Sequence, residues 1–236
     1  MKIAIVGYGK MGKEIEQVAL NRGHDVVLKI SEAITEQTLG LESVDVAIEF
    51  SRPDAAANNI LELSNRRIPV VCGTTGWYNR LDEIKSSIHK NDSALLYSTN
   101  FSIGVNIVFH LNKLLASIMH SLDEYDPRIL EIHHVHKLDK PSGTAITLAE
   151  GILNELKRKD SWKLDETNAS NELLISSERT DEVPGTHSVI YESSIDKIEL
   201  NHIAKNRVGF ALGAVKAAEW LHDKKGTYTM RDYLKF

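Results

Sequence analysis

The stretch 131–145, EIHHVHKLDKPSGTA, concentrates the groups of this chain that are best suited to proton transfer. It holds three histidines, two lysines and two carboxylates. Strand alternation through this stretch would place His133 and Lys137 on the same face. A histidine titrates near neutral pH, and a lysine can hold an anion or donate a hydrogen bond to it. We therefore predict that His133 and Lys137 are the catalytic residues.

The opposite face of the same stretch offers an alternative, a metal site. His134 and His136 have a spacing that suits metal ligands on one face of a strand. The adjacent lysines would repel a cation, and no acidic partner stands on that face. We predict no metal, although a metal-dependent hydrolase and a purely structural role for the histidines are the competing interpretations.

The end of the stretch is suited to holding an anionic substrate. Ser142 can cap the helix that the following residues predict, and Gly143 would let a ligand approach the backbone. The free N–H groups of a first helical turn attract carboxylates and phosphates. Together with Lys137 and the imidazoles, this helix start predicts a small acid as substrate, with more than one carboxylate.

A glycine-rich turn near the N-terminus predicts a nucleotide site. Gly7-x-Gly9-x-x-Gly12 stands between a predicted strand, Lys2–Val6, and a predicted helix, Lys13–Asn21. In this context the glycines allow a tight turn, the approach of a pyrophosphate and close packing of helix on strand. The predicted nucleotide-binding residues of this turn are Gly7, Tyr8, Gly9, Lys10, Met11 and Gly12.

The next strand bears on the choice of nucleotide. Lys29 and Ser31 share a face at its end, and no acid stands on that face, although Glu32 is adjacent. A lysine and a hydroxyl tolerate a 2′-phosphate, so we predict NADPH or NADH as cofactor, with NADPH slightly preferred. Two loops that follow later strands are candidates for the nicotinamide end, because ligands collect at the carboxyl ends of parallel strands. Their predicted binding residues are Gly73, Thr74, Thr75, Ser98, Thr99, Asn100 and Phe101.

The elements around these motifs predict an α/β protein. Up to residue 100, strands and helices alternate, with helices at 53–65 and 81–90, which predicts an N-terminal Rossmann-type, doubly wound parallel sheet. Beyond it we predict helices at 102–122 and 144–158, a strand at 128–135, a polar loop at 159–171, strands at 172–177, 187–192 and 197–203, and a final helix at 208–221. These later elements predict a smaller α+β domain with a mixed open sheet. The expected domains are 1–104 with 207–236 for the dinucleotide and 105–206 for substrate and oligomer contacts, with hinges near 101–105 and 206–210.

Composition excludes several classes of partner. A net charge of −5 gives no global attraction to nucleic acid or to an anionic membrane, and no apolar run is long enough to span a bilayer. The single cysteine, Cys72, excludes an internal disulfide and a thiolate-rich metal site. It lies in an apolar run, so we predict a buried strand residue rather than a nucleophile. A cytoplasmic location is expected.

The stretch 131–145 resembles the signature of the 4-hydroxy-tetrahydrodipicolinate reductase (dihydrodipicolinate reductase) family, in the pattern Glu-x-His-x-x-x-Lys-x-Asp-x-Pro-Ser-Gly-Thr-Ala. Arg128 departs from the family pattern, which has a glutamate there. Further similarity to the family lies at 7–12, 49–53, 73–76, 100–106, 185–187 and 202–214.

The resemblance implies a function and a set of roles. It implies NAD(P)H-dependent reduction of 4-hydroxy-tetrahydrodipicolinate to tetrahydrodipicolinate, in the diaminopimelate route to lysine, by a homotetramer assembled through the second-domain sheet. His133 would donate a proton to the ring, and Lys137 would polarise the substrate. His134, Gly143 and Thr144 would bind its carboxylates, and Arg207 would contribute to the cofactor site. A reductase of another small imino or keto acid and a nucleotide-binding regulator without turnover remain alternatives.

Overall fold

The computed structural model describes residues 1–167, 169–206 and 208–236, which form two sheets flanked by helices. The strands are β1 (Lys2–Val6), β2 (Asp25–Ile30), β3 (Val46–Glu49), β4 (Val70–Cys72), β5 (Ala94–Tyr97), β6 (Asp126–His133), β7 (Ser161–Leu164), β8 (Glu172–Arg179), β9 (Thr186–Glu192), β10 (Lys197–Ile203) and β11 (Gly226–Tyr228). The α-helices are α1 (Lys10–Asn21), α2 (Pro53–Asn65), α3 (Leu81–Lys90), α4 (Ile103–Ile118), α5 (Gly143–Glu155), α6 (Val208–Leu221) and α7 (Met230–Leu234).

The chain divides into two compact units. The first consists of Met1–Ile103 and Val208–Phe236, and the second of the chain between them. The first break falls within 101–105, one of the two stretches predicted as hinges. None of the helices in the described ranges combines the length and the apolar character needed to cross a membrane.

The first unit contains the predicted parallel sheet. Its six strands run in the order β11-β5-β4-β3-β1-β2, and every neighbouring pair is parallel. β1, apart from Lys2, and β3 are fully buried, as expected of apolar, β-branched strands covered by helices on both faces. The strand order reverses where β1 pairs with β3. In an open α/β sheet the crevice at such a reversal is the place where nucleotides bind.

Two helices of this unit illustrate how the sequence sets their bounds. α2 begins at Pro53, where a missing backbone N–H breaks no helical hydrogen bond. α3 carries Asp82 and Glu83 in its first turn and His89 and Lys90 in its last, the arrangement that the helix dipole favours. Both helices therefore form within the bounds that the sequence predicts.

α6 packs unusually closely because its buried face consists largely of alanine and glycine. A Cβ on Gly213 would lie 1.7 Å from the carbonyl oxygen of Phe101, so only glycine fits there. The helix joins the same apolar cluster as Ile3 and Ile48 of the central strands. α6 therefore belongs to the first compact unit and packs beside its parallel sheet.

The second unit contains a mixed sheet of five strands in the order β10-β9-β6-β8-β7. β6 and β7 run parallel to β8, whereas β9 runs antiparallel to β6 and β10. Ile129 on β6 and Ile175 on β8 share one apolar cluster with Val108 of α4 and Leu148 of α5, so the two helices cover one face of the sheet. The two sheets confirm the predicted fold class.

Three details of the sequence prediction are wrong. β6 ends at His133, two residues early, and the chain turns at once, with the Lys137 amide donating to the His134 carbonyl at 3.1 Å. The predicted loop 159–171 contains β7, an edge strand whose Trp162 and Leu164 are half-buried. α6 is followed by β11 and α7, which are only three and five residues long and give little periodic signal.

Candidate active site

The three glycines of the N-terminal turn have different structural roles. Gly7 has a φ of +91°, and a Cβ there would lie 2.0 Å from the Phe50 carbonyl oxygen. A Cβ on Gly12 would lie 2.4 Å from the Gly7 carbonyl oxygen, so this glycine lets α1 approach the strand. A Cβ on Gly9 would meet no atom within 4 Å. Packing therefore does not require glycine at position 9. Its lack of a side chain leaves the space beside the backbone open.

That open space belongs to a cavity of about 550 Å³ at the carboxyl ends of β1, β2 and β3. The predicted residues Gly7, Tyr8, Gly9 and Ser31 line it. The remaining lining residues were not predicted: Glu32, Ala33, Phe50, Ser51, Arg52 and Ala55. The resemblance at 49–53 is the sequence feature that could have identified some of these residues, because it follows β3, and β3 lies beside β1 at the reversal of strand order. The cradle fits a nucleotide pyrophosphate, which needs bare backbone at a helix start.

Other predicted nucleotide residues lie outside the cavity lining. Lys29 forms an ion pair with Glu16 at 2.9 Å, and Tyr8 donates a short hydrogen bond to the same carboxylate. The hydrogen bonds from Tyr8 and Lys29 lower the pKa of Glu16. Lys10 is exposed at the start of α1, and Met11 packs against the core. The Lys29 charge is thus already balanced.

The two loops predicted for the nicotinamide end are built around aromatic packing. A Cβ on Gly73 would lie 2.2 Å from the ring of Phe50, so glycine is required there. Thr74 is buried and accepts from the Ser51 amide at 2.8 Å, whereas Thr75 is exposed. Gly73 and Thr74 therefore hold the loop in its conformation. Thr75 has the side chain that a ligand could reach.

In the second of these loops, Ser98 donates to the Asn100 carbonyl at 2.7 Å, and Asn100 accepts from the Ser102 amide at 2.8 Å. Phe101 is buried against Phe50, and Thr99 is exposed. Arg207, the remaining predicted cofactor residue, lies outside the described residues.

In the second unit, His133 lies in a buried polar cluster. It is the last residue of β6, on the same helix-covered face as Ile129 and Glu131. The His187 ring on β9 meets the His133 ring edge to face, with centroids 4.9 Å apart. Glu131 Oε2 lies 3.5 Å from His133 Nδ1 and 3.8 Å from His187 Nε2. All three side chains are at most 7% exposed.

Glu131 is ionised although it is fully buried. The Ser142 amide lies 3.1 Å from each of its oxygens, Ser177 donates to Oε1, and Arg179 lies 3.1 Å from Oε1. Burial opposes ionisation, but the hydrogen bonds from Ser142 and Ser177 outweigh it and lower the pKa of Glu131. A carboxylate with this many donors is stable in the interior.

The two buried histidines are electrostatically distinct. Burial lowers the pKa of His133, and the Glu131 carboxylate opposes that shift. Burial and the neighbouring His133 lower the pKa of His187 to about 3, so this ring is neutral at any physiological pH. His133 is therefore the histidine of the cluster that can exchange a proton under working conditions.

Lys137 lies in the turn after β6 rather than on the strand. Its ammonium donates to both oxygens of Asp139, at 2.7 and 2.8 Å. Arg179 donates to the Asp139 carbonyl at 2.6 Å and to the Lys137 carbonyl at 3.4 Å, which ties the turn to β8. The predicted shared strand face of His133 and Lys137 is wrong, because the strand ends first. The turn nevertheless keeps Lys137 close enough to oppose protonation of His133.

The start of α5 has the predicted form. Ser142 caps the helix and accepts from the Ala145 amide at 3.2 Å, and its hydroxyl lies 3.1 Å from His187 Nε2. A Cβ on Gly143 would meet no atom within 4 Å. Thr144 follows in the first turn, and His134 is half-buried in the turn after β6. The helix start is thus accessible to an anion beside the histidine cluster.

The cluster also has the composition of a metal site. Atoms of Glu131, His133 and His187 that could ligate a metal lie within 4.8 Å of one another. The Glu131 oxygens, however, already accept from three donors, and the Arg179 guanidinium would repel a cation. His136, part of the earlier metal alternative, is exposed and lies 3.4 Å from Glu182. The donor set suits a hydrogen-bonded carboxylate better than a metal.

Comparison with known proteins identifies the family. Residues 1–101 match the family described as dihydrodipicolinate reductase, N-terminus, and residues 104–234 match dihydrodipicolinate reductase, C-terminus. A 4-hydroxy-tetrahydrodipicolinate reductase from Christiangramia forsetii is 51% identical over 234 residues, covering 99% of this chain and 98% of the relative. One from Thermosipho africanus is 35% identical over 237 residues, covering 100% and 98%.

The fold has a close counterpart among solved structures. Dipicolinate-bound dihydrodipicolinate reductase from Paenisporosarcina sp. TG-14 superposes with a TM-score of 0.80 at 20% identity, covering 99% of both chains. This likeness shows a shared fold. The resemblance inferred from the 131–145 signature is confirmed, since matches over both halves establish this chain as a member of the dihydrodipicolinate reductase family.

Proposed function

We propose that the protein reduces 4-hydroxy-tetrahydrodipicolinate to tetrahydrodipicolinate with NADPH or NADH, in the diaminopimelate route to lysine. The observation that carries the proposal is the position of His133. This titratable imidazole lies beside a helix start that is open to an anion, in a chain whose relatives bear the name of this reductase. In this reaction the ring gains a hydride and a proton while its hydroxyl group leaves as water, so the site must supply a hydride donor, a proton donor and a place for two carboxylates.

The nucleotide lies along the first unit in this proposal. Gly7, Gly9 and Gly12 cradle the pyrophosphate at the start of α1, and Ser31 and Arg52 lie toward the adenosine ribose. Thr75, Thr99 and Asn100 belong to the loops nearest the nicotinamide end. When bound, the reduced nicotinamide supplies a hydride.

The substrate carboxylates lie at the start of α5. Backbone amides of Gly143 and Thr144 donate to one carboxylate, helped by the positive end of the helix dipole. Lys137 and His134 hold the other, and Lys137 exchanges its Asp139 partner for the substrate. The dipicolinate in the Paenisporosarcina enzyme belongs to the same class of ring dicarboxylate.

His133 is the proton donor. In the free protein its pKa is lowered, mainly by burial, so the neutral ring prevails at neutral pH. A bound dicarboxylate adds negative charge next to the ring and favours the imidazolium. Substrate binding therefore loads His133 with the proton that completes reduction of the ring. Turnover is lost as the pH rises through the pKa of His133 in the complex.

Finer features follow from the same proposal. The exposed Arg52 at the cavity and the Ser31 hydroxyl suit a 2′-phosphate, whereas Glu32 suits an unmodified ribose, so both nucleotides are accepted with a slight preference for NADPH. The location is the cytoplasm. The assembly is a homotetramer through the β10 edge of the second sheet, where Ile198 and Ile203 are 37% and 68% exposed.

A coupled assay tests the function. The protein is mixed with NADPH, and separately with NADH, while the preceding synthase makes the substrate in place. Loss of the absorbance band of the reduced nicotinamide that requires both enzyme and substrate is the expected result, and the two rates give the preference. Nucleotides that bind but are never consumed would contradict the proposal and favour a regulator or a different acid substrate.

A further inference from the structure

Glu131 contacts both halves of the candidate site. Its oxygens accept from the Ser142 amide, the residue that caps α5, and Oε2 faces the Nδ1 atom of His133 at 3.5 Å. The proposed substrate site at Gly143 is the next residue along the chain. A single buried carboxylate therefore links the position of the proton donor to the position of the helix start.

Among the charged groups around His133, Glu131 contributes most to the protonation of the ring. Lys137 from the turn after β6 and Arg179 from β8 both oppose protonation of the ring, and the neutral His187 on β9 adds to its burial. Two carboxylates favour protonation, Glu131 and Asp139. Asp139 is exposed and is bound by Lys137, so its field is weakened by the solvent and by its partner.

The geometry also assigns the two nitrogens of His133. A charge-assisted hydrogen bond from Nδ1 to the carboxylate would be about 2.7–2.9 Å long, so the observed 3.5 Å suits a neutral ring that protonation would draw closer. A Cβ on Gly185 would lie 3.2 Å from Nε2. Glycine at 185 thus keeps a side chain away from Nε2, the nitrogen left to donate.

We propose that Glu131 is a positioning residue that acts through His133: it sustains the protonated ring through Nδ1, leaves Nε2 as the donating nitrogen, and fixes the start of α5 relative to that nitrogen. The role in turnover rests on the proposed function. The effect on His133 does not, because it exists in the free protein without any ligand.

The direct test is a proton NMR titration of His133 in the free protein, with its signal assigned by loss in His133→Asn. Glu131→Gln keeps the side-chain volume and removes the charge. We expect the pKa of His133 to fall by about one unit or more, since an opposite charge at this range shifts a pKa by roughly 1–3 units. The control is Glu192→Gln on β9, which removes a surface ion-pair partner of Arg128. This control should leave the pKa of His133 unchanged. An unshifted His133 in Glu131→Gln overturns the inference.

Kinetics separate this inference from the proposed function. In Glu131→Gln the pH above which kcat declines moves down with the pKa of His133, and kcat at neutral pH falls about tenfold per unit and recovers in acid. A merely structural role would lower kcat equally at every pH. A wild-type protein without turnover defeats the proposed function and leaves the titration to decide. Wild-type turnover with an unshifted profile in Glu131→Gln defeats the inference alone.

Loss of the buried charge leaves Arg179 without its carboxylate, so folding is checked by circular dichroism. If Glu131→Gln does not fold, Glu131→Asp replaces it, because aspartate keeps the charge and withdraws it by one methylene. The pKa of His133 then falls by a smaller amount in the same direction. A titration curve identical to that of the wild type contradicts the inference.

Discussion

Two buried histidines lie in contact in this site, and their environments give them different tasks. Glu131 lies near both rings, 3.5 Å from His133 Nδ1 and 3.8 Å from His187 Nε2. His187 also meets the Ser142 hydroxyl, and burial keeps it neutral. A permanently neutral ring packs against its neighbour and does not compete for protons. His187 is therefore part of the wall that positions His133.

Replacing His133 tests the proton donor. We expect His133→Ala to lower turnover about a hundredfold or more, which is typical for the loss of a general acid, while nucleotide affinity stays unchanged. Steady-state kinetics and fluorescence titration with NADPH measure the two quantities. His89→Ala, an exposed histidine on α3, is the control. Unchanged turnover in His133→Ala would remove His133 from the mechanism.

The neutrality of His187 predicts an acid-sensitive fold. The pKa of His187 is about 3 in the folded protein and about 6.5 in the unfolded chain. Between these two pH values the ring is protonated in the unfolded chain but not in the folded protein. This contribution to stability is present above pH 6.5 and is lost toward pH 3, by about 1.4 kcal/mol per pH unit. Urea unfolding at several pH values should show a steeper loss in the wild type than in His187→Gln. Equal slopes would contradict a neutral, buried His187.

Sequence reasoning predicts His133 as a catalytic residue but does not identify the residues that contact it, and strand register explains why. β6 is paired so that Glu131 lies opposite His187 on β9 and His133 lies opposite Arg179 on β8. These partners are more than forty positions apart in sequence, and spacing along the chain carries no information about register. The 185–187 motif marked His187 only as a point of resemblance.

At the level of elements, the glycines of α6 show how single residues determine the packing of a helix. Two glycines of α6 have opposite surroundings: a Cβ on Gly213 would lie 1.7 Å from the Phe101 carbonyl oxygen, and one on Gly209 would meet nothing within 4 Å. The same chemical change at the two positions thus separates helix propensity from packing.

We expect Gly213→Ala to lower the free energy of unfolding by about 3 kcal/mol, because the helix must move away from Phe101. Gly209→Ala should be neutral or stabilising by up to about 0.5 kcal/mol. Denaturant unfolding of both variants measures the difference. Equal stabilities would show that α6 does not pack against Phe101 as closely as described.

The start of α1 allows a matching test of binding. Gly9→Ala adds a methyl group where no protein atom lies within 4 Å, on the wall of the nucleotide cavity. We expect the melting temperature to change little and the Kd for NADPH to rise about tenfold, equivalent to about 1.4 kcal/mol. Calorimetric titration measures it, with Gly209→Ala as the control. Unaltered affinity would place the pyrophosphate elsewhere.

At the level of elements, the sequence predicted long, periodic segments best. α2, α3 and α6 have the predicted bounds. Apolar residues recur at helical spacing in all three, α2 starts at a proline, and α3 carries acidic residues in its first turn and basic ones in its last. The sequence analysis does not predict β7 and β11, because these edge strands are only four and three residues long and are at most half-buried. β6 was extended too far because the His-rich residues after it continue an alternating pattern while the chain already turns.

At the level of the whole molecule, the two sheets perform separate chemical tasks in the proposed function. The parallel sheet ends in bare backbone around a cavity that suits a nucleotide, and the mixed sheet carries the buried histidines and the open start of α5. The alternation of strands and helices was enough to predict the first sheet. The second required the family resemblance for its function, since mixed sheets serve many purposes.

Isotope transfer tests the central claim most directly. The protein is incubated with the synthase-made substrate and NADPH carrying deuterium at both C4 positions, and the product is analysed by mass spectrometry. The proposed function predicts one deuterium in the tetrahydrodipicolinate from the nicotinamide and one hydrogen from the solvent. A product without deuterium, or nucleotide oxidation without a reduced ring product, would contradict it.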